Sequence, residues 1–116
     1  FIVDLEADSL FHLLVGNGTT FGEVIGNTFG VPSSATWYFV VAWHDSVANT
    51  LNISINNGAV DSVSYAGGSY DSTFPFALGR DGSFNGLYLN GQRDEVGIWK
   101  RVLTAVERTR LYNGGL

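Results

Sequence analysis

The 116 residues are one domain's length, and 45% hydrophobic against 15% charged side chains is a globular composition. Eleven acidic against six basic residues leave a net charge of -5, which argues against the phosphate-tracking surface of a nucleic-acid binder. No apolar run approaches the ~18 residues of a membrane span, and the absence of cysteine removes a disulfide framework, a thiolate zinc site and a cysteine nucleophile.

In chain order, Phe1, Val3 and Leu5 alternate with Ile2, Asp4 and Glu6, the period of a half-buried strand. After a break at Ala7-Asp8-Ser9, Leu10 to Val15 forms a second strand closed by Gly16-Asn17-Gly18. Phe21 to Phe29 is a weaker strand interrupted by glycines. Trp37 to Trp43 is apolar on both faces and predicts a strand in a sheet covered on both sides. Leu51-Asn52-Ile53-Ser54-Ile55 alternates, and Asn56-Asn57-Gly58 after it predicts a type I′ hairpin turn with Asn57-Gly58 at the positive-φ positions. The return strand runs from Ala59 to Tyr65, with further strands over Phe74–Leu78 and Asp94–Lys100. Fifteen glycines, two prolines and 14% aromatics suit short strands joined by tight turns. Thr104-Ala105-Val106-Glu107 fits a capping box and opens one short C-terminal helix that ends at Asn113-Gly114-Gly115. Arg108 and Arg110 fall toward its C-terminal end, where cations suit the helix dipole. The fold expected is an all-β, antiparallel sandwich with that single helix.

The segment from Gly91 through Asp94-Glu95-Val96, Trp99, Leu103-Thr104, Glu107 and Leu111-Tyr112-Asn113-Gly114-Gly115 resembles the C-terminal signature of LamG-like, concanavalin A-type jelly-roll domains. Trp37 with its hydrophobic strand, the Asn56-Asn57-Gly58 turn and Leu78-Gly79 resemble the same family's central elements, so the likeness spans residues 37–115. Arg93 departs from it, standing where the family carries an apolar residue. The resemblance implies a jelly roll over residues 1–116 that lacks the family's opening strands. Phe1-Ile2-Val3-Asp4, neither a start methionine nor a basic leader, then reads as the C-terminal part of a longer domain or chain.

The resemblance also implies a structural calcium, ligated by Asp94 together with backbone oxygens near the N-terminal strands. Strand alternation places Asp94 on one face with Val96 and Ile98, where a carboxylate needs a partner. Calcium takes six to eight oxygens, of which one Asp supplies at most two.

Asp4, Glu6 and Asp8 stand two apart, as carboxylates on one strand face would. Glycoside hydrolases on this scaffold alternate Glu-Asp-Glu, whereas the order here is Asp-Glu-Asp, so the set reads as a solvated face and no catalysis is expected. His12 and His44 have neither metal-ligand nor triad spacing and read as satisfied strand residues. Sugar sites combine an aromatic platform with amides and carboxylates. Tyr65, Tyr70 and Asp71, with Arg80, Asp81, Asn85 and Tyr88, offer that set on loops at one rim. Asn17-Gly18-Thr19 and Asn52-Ile53-Ser54 match glycosylation sequons.

These observations predict a non-catalytic module that recognises carbohydrate or a surface protein, extracellular or on the surface of a particle. A structural or assembly domain of a virion, fibre or surface layer, built as a homo-oligomer or larger assembly, is the alternative. A glycoside hydrolase is the remote one. No nucleic acid and no membrane insertion are expected.

Overall fold

A computed structural model describes residues 1–71, 73, 75–80 and 88–114. Strands β1 (Ile2–Leu5), β2 (Phe11–Gly16) and β3 (Phe21–Ile25) form one antiparallel sheet, A, in chain order. Strands β4 (Val40–Asp45), β5 (Thr50–Ile55) and β6 (Val60–Ser64) form a second, B, in the same way. Helix α1 (Ala105–Gly114) follows. The result is the expected all-β sandwich with one short C-terminal helix.

Each hairpin is set by its turn. Asn17 Oδ1 accepts from the amides of Thr19 (2.9 Å) and Thr20 (2.8 Å), and Gly18 takes φ 90°, which registers Gly16 against Phe21. Asp45 Oδ1 accepts from Val47 and Ala48 in the same manner at 2.9 and 2.8 Å and pairs Asp45 with Thr50. Between β5 and β6 the positive-φ residues are Asn56 (53°) and Asn57 (56°), one position earlier than the Asn57-Gly58 pair expected, and the Gly58 amide donates to Ile55 O. Asparagine tolerates that conformation, so the I′ geometry forms without glycine in the turn centre.

Cross-strand register decides which residues share a face. Leu13 opposes Val3 and Val24, while Ile53 opposes Ala42 and Asp61. Leu13, Val15 and Val24 of sheet A meet Leu51, Ile53 and Ile55 of sheet B in one buried cluster, closed at one end by Tyr65. The other face of sheet A carries Asp4, His12, Leu14, Glu23 and Ile25. The other face of sheet B lies under α1, where the Arg108 guanidinium sits 4.4 Å from the Trp43 ring and Tyr112 packs on Phe39.

Four expectations are corrected. The central strand starts at Val40, and Trp37 before it is 63% exposed, because the chain enters through a turn fixed by Tyr38 Oη against Ser33. β4 is also the edge strand of its sheet rather than a central one. No strand forms over Asp94–Lys100: Glu95 takes φ 51°, which ends the alternation, and the Trp99 ring folds back onto Gly97, leaving Val96 and Ile98 exposed. Nor does the described part of Phe74–Leu78 form one, and Phe74 itself lies outside the described residues.

The capping box is present as read. The Thr104 amide donates to Glu107 Oε2 at 2.8 Å and the Glu107 amide to Thr104 Oγ1 at 3.3 Å. Arg108 does not sit at the helix end: it reaches back to Leu103 O at 2.6 Å, and no basic residue occupies the last turn.

Candidate functional site

Two places bring chemistry-bearing side chains together. The first is the rim where the β2–β3 and β4–β5 turns meet the chain leaving β6. The Tyr65 amide donates to Asn49 O (2.7 Å) and the Tyr70 amide to Gly16 O (2.8 Å), so this segment is laced to both turns. Tyr70 is 60% exposed, and its ring lies against Gly18, where even a Cβ would approach to 3.1 Å. It is therefore an aromatic face held out to solvent by backbone contacts, with exposed Asp71 next to it.

Tyr65 was expected in the same platform and belongs to the core instead. It is 8% exposed, its hydroxyl donates to Gly68 O at 2.9 Å, and its ring fills the space that side chains at Gly22 and Gly67 would need. His44 stands edge-on to that ring with centroids 5.5 Å apart. Arg80 and exposed Tyr88 pair with each other in an isolated bridge, continued by the Leu89 amide donating to Gly79 O. Asp81 and Asn85 lie outside the described residues.

Asp94 is exposed, and its Oδ1 accepts from the neighbouring Glu95 amide at 2.9 Å. The one grouping of three or more His, Asp or Glu side chains with metal-ligand spacing among the described residues lies elsewhere and does not include it. Calcium at Asp94 would therefore draw most of its six to eight oxygens from backbone or amide groups rather than from a carboxylate cluster.

The second place is the outer face of sheet A, centred on His12. The imidazole is only 3% exposed although it faces away from the core, because carboxylates cover it. Nδ1 lies 2.7 Å from Glu23 Oε1, and Nε2 lies 3.0 and 3.1 Å from the two oxygens of Asp8. Glu6 joins them: one nitrogen or oxygen from each of Glu6, His12 and Glu23 falls within 4.8 Å of the others. Burial pushes the imidazolium down most. The bonds to Glu23 and Asp8, with the charges of Asp8 and Glu6, outweigh that and hold His12 above its usual range. Asp8 is held below the usual carboxylate range, first by the Leu10 amide and, against some burial, by His12.

The Asp4, Glu6, Asp8 series is therefore not one strand face. β1 ends at Leu5, and Asp8 sits in the turn that folds back over His12. His12 is satisfied, as expected of a strand histidine, but by carboxylates, whereas His44, expected to be satisfied as well, has a buried Nε2 without a hydrogen-bond partner among the described residues. Glu23 had no signal by itself. Counting residues across a hairpin closed by Gly16-Asn17-Gly18 would have brought it beside His12.

Among the described residues no helix is long and apolar enough to cross a membrane. The family described as the concanavalin A-like lectin/glucanases superfamily matches residues 1–107, which takes in the three N-terminal strands and the motifs from Trp37 to Glu107, with Leu111-Tyr112-Asn113-Gly114-Gly115 beyond it. Comparison with curated proteins and with solved structures gave no match.

Proposed function

Because the chain belongs to the concanavalin A-like lectin/glucanases superfamily, we propose that it is a non-catalytic module that binds carbohydrate, displayed on an extracellular or particle surface. The site proposed is the rim around Tyr70. The observation that carries this reading is the fixed, solvent-facing Tyr70 ring, anchored through its amide to Gly16 and seated on Gly18. A ring held in place loses little entropy on stacking against the apolar face of a sugar, and Asp71 beside it supplies a hydrogen-bond acceptor. The setting of Asp8 does not suit a proton donor for hydrolysis. A glycosidase needs a proton donor with a raised pKa, whereas Asp8 is held low and both of its oxygens face His12.

A glycan array of the folded chain, followed by titration of any hit in calcium and again in EDTA, tests this. Tyr70→Ala should weaken binding roughly tenfold or more while leaving the melting temperature unchanged. A blank array, or a hit indifferent to that change, would reject the reading, and loss of binding in EDTA would bring Asp94 into the site.

One observation favours the assembly reading as the second choice. Val3 and Leu5 share the core face of Leu13 and Phe11, yet β1 runs past sheet B and they stay 45% and 50% exposed, with Phe1 at 72% beside them. A module completed by a neighbour would self-associate, and Leu5→Asp would return it to monomer.

A further inference from the structure

We propose that His12 is a proton-operated clamp: doubly protonated, it ties the β1–β2 turn through Asp8 to strand β3 through Glu23, and release of one proton loosens sheet A. With both flanking carboxylates ionised, the geometry carries this before any titration of the ring is considered. A neutral imidazole has one N–H and one bare lone pair. Here both ring nitrogens face carboxylate oxygens at hydrogen-bond distance, 2.7 Å on one side and 3.0 Å on the other. In the neutral ring one of those contacts would set lone pair against lone pair. Only the imidazolium donates in both directions.

The groups facing the ring are all acidic among the described residues. Asp4 lies opposite it on β1, Glu6 and Asp8 come from the end of β1 and its turn, and Glu23 comes from β3, where Ile25 is the directly opposed residue. Sheet B packs on the other face of β2, where its titratable side chains are Asp61, which accepts from the Thr28 amide and hydroxyl beyond β3, and His44, which stands against the Tyr65 ring. Removing the proton therefore breaks one bond and leaves carboxylates crowded around a buried neutral ring. The folded state holds His12 above its ordinary value. Its contribution is thus complete below the unfolded value of ~6.5 and is lost as pH rises through the folded one. Asp8, held low, contributes above its ordinary value and is lost only in acid.

The test is melting temperature from about pH 5 to pH 9 on the wild type, His12→Gln and Asp8→Asn/Glu23→Gln, with the ring protons of His12 followed by NMR in the wild type. A wild-type Tm that falls by about 4 °C or more on the alkaline side, flattened in both variants, is the expected result, with His12 titrating above ~6.5. His12 titrating below that value overturns the clamp even if neither variant folds. So does an alkaline slope that persists without His12. Zinc added above neutral pH provides the last arm. A rise in Tm that His12→Gln abolishes would make the cluster a cation site and overturn the proton clamp.

Discussion

The two sheets have the same plan, three antiparallel strands joined by tight turns, but they protect their outer faces by different physics. Sheet B has the core on one side and α1 against part of the other, so that Val60, Ser62 and Ser64 of β6 stay exposed while all of Leu51 to Ile55 is buried. Its polar members there are satisfied without charge, Asn52 through Thr50 Oγ1 at 2.9 Å and Ser54 through Gly58 O at 3.0 Å. Sheet A is covered on one side only, and β1 is exposed along its whole length. Its one buried polar side chain is an imidazole under carboxylates. Neutral burial is indifferent to pH and salt, whereas an ionic cover is not. Sheet B should therefore carry the constant part of the stability and sheet A the conditional part.

The strongest blow to that contrast is Ile53→Ala. Ile53 is fully buried at the centre of β5 and faces sheet A. Deleting its outer carbons removes transfer energy and leaves a cavity, for a loss of about 2–5 kcal/mol. Urea unfolding at two pH values should give the same loss at both. A loss that changed with pH would mean that the core and the His12 face are coupled.

Next in size is Gly22→Ala. Gly22 lies opposite Val15 in sheet A, and a Cβ there would enter the Tyr65 ring, which belongs to the core against both sheets. The ring is pinned by Gly68 O and crowded by His44, so it cannot swing away freely. Overpacking of this kind costs about 1–3 kcal/mol. Tyr65→Phe/Gly22→Ala should recover little, because the clash is with the ring and not with the hydroxyl. Full recovery would show that the hydroxyl bond, not the packed ring, fixes Tyr65.

How much of this contrast could be read in the chain depends on whether the deciding contact is local. The alternation of Phe1 to Glu6 and Leu51 to Ile55 and the Asn56-Asn57 turn report sheet strands directly, because period and turn chemistry are properties of neighbouring residues. So does the Thr104 to Glu107 box. The rim followed from composition, and Tyr70 lies on it. Tyr65 does not, because whether an aromatic faces the core or solvent depends on Gly22 and Gly67, distant residues that leave room for it. The His12 cluster needed the register of two hairpins at once. The Asp94 strand was misread because Val96 and Ile98 alternate with Asp94 as in a strand, while the positive φ at Glu95 leaves no such trace.

The smallest effect is at the cover of sheet B, and it separates the two halves most sharply. Thr104→Ala removes the hydroxyl that accepts from the Glu107 amide, for about 1 kcal/mol. Helix α1 buries none of its own side chains. The loss should therefore appear as faster amide exchange in α1 and over Asn52 and Ser54, with the amides of sheet A unchanged. The pH dependence of that cover runs opposite to the clamp's. The Arg101 guanidinium, followed by the Thr104 amide and hydroxyl, holds Glu107 down to about 2. Its contribution is present above the ordinary value of ~4.5 and is lost as pH falls toward about 2. The pair is solvent-exposed, so added salt should shrink this acid effect. Acid should then free the helix from sheet B first, and base should loosen sheet A first. Exchange measured at both ends of the range, with protection lost in different sheets, would establish that the two outer faces are held independently. Loss of both together at either end would show that the sandwich opens as one unit.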